Sequence, residues 1–212
     1  MRGIAAYGVY VPYWRLDRKT IASALGVAAA SGTRSVASYD EDTTSLGAEA
    51  ARAAVRAAPR LGPEALYFAT AQPAYLDKTN ATAIHAALNL APSTPAFDMV
   101  GAVRSGSGAL RAALDARGYA LVVLSDIRTG LPGSADEREG GDGAVAFLCG
   151  DDSPDSPVLA EPVACGGRLP SSSSAGGCPA SRPRGNGRSA SASTSMSRSA
   201  RLPRPRRSSR PG

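Results

Sequence analysis

The chain has 212 residues, of which 43% are hydrophobic, and a formal net charge of +6 at pH 7. It contains no apolar run long enough to span a membrane and no secretory signal, so we expect a cytoplasmic protein. Its three cysteines, Cys149, Cys165 and Cys178, form no CxxC pair and are odd in number, which argues against a disulfide framework and against a metal site.

The charge divides the sequence into two unlike pieces. Every Asp and Glu lies at or before Glu161, whereas residues 165–212 contain ten Arg and no acidic residue. Residues 1–164 therefore carry a net charge of about −4 and the remainder about +10. We predict one folded domain over residues 1–164 and a disordered tail over residues 165–212, because the tail lacks Phe, Tyr, Trp, Ile and Val.

Three explanations fit the basic tail. It is a genuine disordered segment, an arm that binds nucleic acid or an anionic membrane through phosphate contacts alone, or the product of a shifted reading frame. Arg outnumbers Lys by 22 to 2 over the whole chain, as expected of a gene rich in G and C. Such a gene read out of frame yields mostly Arg, Ser, Pro, Gly and Ala, so we favour a frameshift near residues 164–166.

The first piece alternates strand and helix patterns. Residues 3–13 predict a first strand, residues 15–26 a short helix capped by Asp17 and ended by Gly26, and the acidic turn Asp40–Asp42 precedes an alanine-rich helix. Further strands are expected over 63–73, 94–102, 119–127 and 143–152, with helices over 80–90 and 105–118. The strand at 119–127 is apolar enough to be central. The pattern predicts an α/β layered fold with helices on the faces of the sheet.

Composition and spacing alone identify no catalytic group. The only histidine, His85, lies in a predicted helix and is interpreted as a packed or solvated helix residue, so no Ser/His/Asp triad can be assembled. The glycines of "REGGDGAVAF" precede a strand and lack a phosphate-loop lysine, which indicates a tight turn and not a nucleotide site.

Five segments follow one another in the order and spacing of a known family. They are "GIAAYGVYVPYWRL", "YDEDTTSLGAEAARAA", "YFATAQPAYLDKTNATAIHAAL", "FDMVGAVRSGSGAL" and "LVVLSDIRTGLPGSADEREGGDGAVAFLCGD". Together they resemble the hydroxymethylglutaryl-CoA synthases of the archaeal and bacterial type, among the thiolase-fold condensing enzymes. The resemblance covers residues 3 to about 150. It implies the N-terminal half of a thiolase-like fold, with the order βαβαβαββ, and a homodimer or partner subunit for the full-length protein.

The resemblance also implies a chemistry. In that family a Cys at the N-terminus of a buried helix is acylated by acyl-CoA, a Glu acts as general acid and base, and a His from the second half polarises a ketone. Val103 stands at the Cys position and Ala71 near the Glu position, so both groups are absent. Ser105 and Ser107 are weak substitutes for the nucleophile, and Gln72 is a substitute hydrogen-bond donor.

One further loop matches the family. The resemblance places this loop, which follows the fourth predicted strand, near the active site and the subunit contact, whereas its composition alone indicates a solvated loop with two turns. Its matching residues are Asp126, Arg128, Pro132, Gly133 and Glu139.

Three functions remain open, and the sequence does not decide whether the chain is an enzyme. The first is a truncated, synthase-like pseudo-enzyme that binds acyl-CoA as substrate or ligand, or condenses or cleaves a substrate without the usual Cys. It needs no bound cofactor or metal. The second is an active acyltransferase whose nucleophile lies at another position. The third is a binder of nucleic acid or membranes through the tail.

Overall fold

The computed structural model describes residues 2–28, 31–152 and 157–160. The predicted domain boundary after residue 164 and the basic tail lie outside these residues. The strands are β1 (Arg2–Tyr10), β2 (Trp14–Asp17), β3 (Thr33–Val36), β4 (Ala65–Thr70), β5 (Ala96–Val100), β6 (Ala120–Asp126) and β7 (Gly143–Asp151). The helices are α1 (Arg18–Leu25), α2 (Thr43–Ala57), α3 (Asn80–Ala87), α4 (Ser105–Asp115) and α5 (Ala135–Glu139).

Five strands form one sheet in the order β1-β7-β6-β4-β5, and β2 pairs with β3 in a separate two-stranded antiparallel sheet, whose strands are connected through α1. β4 is parallel to β5 and β6, whereas β7 is antiparallel to β6 and β1. β1, β4, β5 and β6 consequently point the same way, and their carboxyl ends share one edge of the sheet. β6 is the middle strand, as its apolar sequence predicted, and Leu121, Val122 and Val123 are completely buried.

Helices cover both faces of this sheet, which confirms the predicted layered arrangement. α2 and α3 contribute Leu46 and Ile84 to a core that includes Phe68 of β4. α4 packs on the opposite face, where Ala109 meets the alternate side chains of the central strands. α2 approaches β1 so closely at Gly8 that an added Cβ would lie 2.3 Å from the carbonyl oxygen of Ala50.

The predicted start and end of α1 are confirmed, and the predicted acidic turn before α2 contains the cap of that helix. Asp17 Oδ1 accepts a hydrogen bond from Lys19 N at 2.9 Å, and Gly26 ends α1 with a φ of 66°. At α2, Asp42 Oδ1 accepts from Ser45 N at 2.6 Å while Ser45 Oγ accepts from Asp42 N at 2.8 Å. This reciprocal capping box satisfies backbone groups that the first turn of a helix leaves unpaired.

Three elements were not predicted: the strands β2 and β3 and the short helix α5. α1 begins at Arg18, as the predicted N-cap at Asp17 requires, and the residues before it, Trp14–Asp17, form β2 and pair with β3. All four β2 residues are exposed, so no alternation of buried and exposed positions marks the strand. None of the helices in the described part of the chain is both long and apolar enough to cross a membrane.

Candidate functional site

The sheet has a switch point between β4 and β5. α3 connects these strands across one face, and α4 connects β5 to β6 across the other. The chain therefore leaves the carboxyl ends of β4 and β5 toward opposite faces, a topology that predicts a crevice between the two loops. In α/β sheets such a crevice is the usual place for a ligand. We refer to it as the edge crevice.

Ala71 and Val103, the residues that the resemblance places at the Glu and Cys positions, both lie at this crevice. Ala71 and Gln72 directly follow β4, the first half-buried and the second exposed. Gly101 N, just after β5, donates to the carbonyl oxygen of Thr70 at 3.3 Å, so the two loops touch where they begin. Val103 lies in the turn between Gly101 and α4, and its side chain is 70% exposed.

Val103 occupies the turn that opens α4. Ser105 N donates to Ala102 O at 2.9 Å and Gly106 N donates to Val103 O at 3.4 Å, so helical hydrogen bonding starts at this turn. The N-terminus of a helix favours negative charge, an effect that an isopropyl side chain cannot use. Ser105 is half-buried and Ser107 exposed, and among the described residues no histidine or carboxylate hydrogen-bonds to either hydroxyl.

Asp126 fixes the loop that carries Ala71. Its Oδ1 atom accepts from Ala71 N at 2.7 Å and from Thr70 Oγ1 at 3.1 Å, across the parallel pairing of β6 with β4. On the other side, Thr43 Oγ1 of α2 donates to Gln72 O at 2.9 Å. The backbone at residues 71 and 72 is therefore held from two elements at once.

The remaining residues of the loop after β6 are more exposed. Arg128 donates to Asp136 at 2.7 Å, and this hydrogen bond raises the pKa of the guanidinium. Pro132 and Gly133 form an exposed turn, with Gly133 at a φ of 77°, and Glu139 is exposed at the end of α5. Only Asp126 of this predicted group contacts the loop after β4 through a hydrogen bond that the structure describes.

A buried ion pair anchors this loop to β3 of the two-stranded sheet. Arg34 is 7% exposed and Asp142 5%, and their side chains approach to 3.3 Å. Asp142 also accepts from Ala37 N and Arg128 N, both at 2.8 Å, while Arg34 donates to Glu137 O at 2.6 Å. This pair was not predicted, because the glycines of residues 140–143 indicated only a tight turn. The single available signal was an acidic residue directly before an apolar strand.

Cys149 is remote from the edge crevice. It is completely buried on β7 and pairs with Ala120 at the start of β6, whereas Gly143 pairs with Asp126 at the end. Those six residues correspond to about 20 Å along the sheet. Burial raises the pKa of the thiol to about 11. Cys149 is therefore a protonated core residue and not a nucleophile of this site.

Cys149 is expected to make the folded domain less stable at high pH. Its pKa in the folded chain is about 11, above the ordinary value of 9.0, so the unfolded chain loses the thiol proton first. The free energy of unfolding should consequently fall as pH rises from about 9 to about 11. Urea titrations of the wild type and of Cys149→Ala isolate this effect from Tyr and Lys titration. Parallel pH profiles for the two proteins would contradict it.

The described residues contain no other candidate centre of these kinds. His85 is half-buried in α3, and its Nε2 atom lies 3.1 Å from Ala91 O, so the ring contacts the loop that follows its own helix. No group of three His, Cys, Asp or Glu side chains within residues 2–28, 31–152 and 157–160 could hold a metal ion.

Comparisons with known proteins agree with the motifs. No protein-family model matches the chain. The hydroxymethylglutaryl-CoA synthase of Pyrococcus furiosus is 34% identical over 163 residues, which are 73% of this chain and 46% of that protein. Among solved structures, an HMG-CoA synthase complexed with CoA superimposes with a TM-score of 0.63 at 25% identity, over 71% of this chain and 42% of that one.

A second solved structure, MvaS in complex with 3-hydroxy-3-methylglutaryl coenzyme A, gives a TM-score of 0.62 at 30% identity, over 70% of this chain and 40% of that one. The chain thus spans somewhat less than half the length of the relatives it matches. Over the matched residues, the chain is similar to these relatives both in sequence and in its layered α/β structure. The chain is a homologue of the hydroxymethylglutaryl-CoA synthases and has a thiolase-like fold.

Proposed function

We propose that the edge crevice binds an acyl-CoA thioester and that the chain forms no acyl-cysteine there. Two of its structural neighbours are described with CoA or hydroxymethylglutaryl-CoA bound, which supports a ligand of this class. The observation that carries the proposal is Val103 in the turn that opens α4. A hydrocarbon side chain at that position cannot form a thioester.

No other side chain of the crevice replaces the missing nucleophile. Cys149 is buried at the far end of β6 and β7. Ser105 and Ser107 have no general base among the residues that the structure describes, so their hydroxyls are poor nucleophiles. Ala71 contributes no acid, and Gln72 offers an amide that donates hydrogen bonds without transferring a proton. Binding, or condensation or cleavage without a covalent acyl intermediate, is the function that these residues support.

Acetyl-CoA binding and acetyl transfer can be measured on the same sample of the 212-residue chain. We expect saturable binding by calorimetry and no radiolabel on the protein after denaturation and desalting. Stoichiometric label on the wild type would instead favour an acyltransferase with its nucleophile at another position. Absence of both binding and label would overturn the proposal.

Matched tryptophan variants locate the binding site. Val103→Trp fills the mouth of the crevice from an exposed position and is expected to weaken acetyl-CoA binding at least tenfold, since a bulky indole occupies the ligand's path. Leu159→Trp changes a residue that is 60% exposed beside β1 and is expected to bind like the wild type. Equal affinities for the two variants would place the ligand elsewhere on the chain.

A further inference from the structure

A cavity of about 380 Å³ lies at the carboxyl ends of β1 and β6 and at the start of β7. Its floor is a row of three side chains, because Val9 of β1 and Leu124 of β6 both stand directly opposite Val145 of β7. Residues that face each other in neighbouring strands share one face of the sheet. Val11, which directly follows β1, extends the same apolar wall. We refer to this cavity as the valine pocket.

The walls of the valine pocket are accessible to a ligand. Val9 is 55% exposed and Val11 49%, and Leu124 and Val145 are half-buried. The cavity has the volume of an ordinary small-molecule pocket. Because these side chains are apolar and in contact with water, a ligand that covers them gains from the hydrophobic effect.

The pocket lies beside both loops of the edge crevice. Asp126 lines the pocket, and its Oδ1 atom accepts from Ala71 N at 2.7 Å in the loop after β4. Leu124 lies against the first turn of α4, since a Cβ added at Gly106 would be 3.4 Å from its Cδ2 atom. Val103 directly precedes that turn. A thioester held between the two loops therefore has the pocket next to its acyl group.

The charges of the pocket determine which part of an acyl-CoA suits it. None of the described residues that line it is a Lys or Arg, and its one carboxylate belongs to Asp126. The phosphates of CoA would meet a negative charge here and no cation. A carboxylate at the end of an acyl group would meet the same repulsion and would lose water against an apolar wall. An uncharged alkyl chain meets neither cost.

We propose that the valine pocket holds the acyl chain of the thioester and makes the edge crevice selective for uncharged aliphatic acyl groups of medium length. The inference rests on the proposed function, because it concerns the acyl end of the same ligand. The floor crosses β6, β7 and β1, which is about 10 Å. A chain of several methylenes can lie along this floor, whereas an acetyl group is too short to reach Val9.

The length and charge of the acyl group give the first test. Calorimetry on the 212-residue chain compares acetyl-CoA with hexanoyl-CoA, which is four methylenes longer. Each fully buried methylene contributes about fourfold in affinity, so we expect hexanoyl-CoA to bind at least tenfold more tightly. Glutaryl-CoA, whose chain of similar length ends in a carboxylate, should bind no more tightly than acetyl-CoA. Equal affinities for the acetyl and hexanoyl thioesters, or equal affinities for the glutaryl and hexanoyl thioesters, would overturn the proposal.

Matched aspartate variants locate the acyl chain. Val9 and Tyr7 stand on the same face of β1 and are 55% and 58% exposed, but only Val9 lines the pocket. Val9→Asp should abolish the preference for hexanoyl-CoA over acetyl-CoA, because a charge would have to lose water beside the chain. Tyr7→Asp adds the same charge and should keep the preference. Since the preference is a ratio, an effect of the charge on CoA itself cancels. A preference that survives Val9→Asp, or that both variants lose equally, would contradict the site.

Two further measurements keep the test decisive. Should Val9→Asp fail to fold, Val11→Asp charges the same wall from beyond the end of β1, and a preference retained in that variant would equally overturn the proposal. Hexanoyl-N-acetylcysteamine carries the acyl thioester without the nucleotide. In ligand-observed NMR we expect it to bind the wild type and Tyr7→Asp, with a Kd on the order of 1 mM, and not Val9→Asp.

The outcomes separate this inference from the proposed function. Acyl-CoA binding that is independent of chain length would overturn the pocket and leave the proposed function standing. Binding of hexanoyl-N-acetylcysteamine that depends on Val9, without binding of any acyl-CoA, would support the pocket and overturn the proposed function. If none of these thioesters binds, both are overturned.

Discussion

Replacing Val103 by cysteine is expected to give a protein that takes up as much as one equivalent of acetyl group from acetyl-CoA, whereas the wild type takes up none. The new thiol would stand in the turn that opens α4, where the helix N-terminus lowers a thiol pKa and favours the reactive thiolate. Because Val103 is 70% exposed, the substitution should change the free energy of unfolding by less than about 0.5 kcal/mol.

Ser107→Cys is the matched control for this gain. It adds an exposed thiol two residues inside α4, away from the opening turn. Both variants are made with Cys165 and Cys178 replaced by serine, and labelled acetyl groups are counted by mass spectrometry. Misplacement of a reacting group by about 1 Å lowers rates on the order of 100-fold, so Val103→Cys should be acetylated at least that much faster. Equal rates would mean that residue 103 is not equivalent to the family's nucleophile.

The features that the sequence predicted correctly are those encoded locally. Asp17 caps the start of α1, Gly26 ends it, and the acidic turn at residues 40–42 directly precedes α2, because these signals require only residues within one helical turn. The central place of β6 follows from a continuous apolar run, which only a strand covered on both faces can bury. These signals need no knowledge of the tertiary structure.

The missed features depend on partners far away in the chain. β2 is stabilised by β3, which lies beyond the whole of α1, and Asp142 is paired with Arg34 across 108 positions of sequence. The same limit applies to the candidate site. The family motifs indicated residues 71 and 103, but only the parallel register of β4 and β6 shows that Asp126 holds the backbone of Ala71.

The long-range pair also leads to the largest expected loss of stability. Asp142→Ala should lower the free energy of unfolding by about 3–5 kcal/mol, because it leaves the Arg34 guanidinium buried without its counterion and two backbone N–H groups without an acceptor. Urea denaturation followed by circular dichroism measures this change. Asp136→Ala is the control. Its ion pair with Arg128 is half-exposed, so its loss should amount to about 1 kcal/mol or less.

A double variant separates the ion pair from the backbone contacts. In Arg34→Met/Asp142→Leu no charge is left buried, so we expect it to recover part of the stability that Asp142→Ala loses, as apolar replacements of buried pairs often do. The unpaired N–H groups of Ala37 and Arg128 would remain and would keep the double variant below the wild type. A double variant no more stable than Asp142→Ala would show that the unpaired guanidinium contributes little to the loss. The loop would then be held to β3 mainly by hydrogen bonds to backbone groups: those that Asp142 accepts from Ala37 N and Arg128 N, and those that Arg34 donates to Arg128 O and Glu137 O.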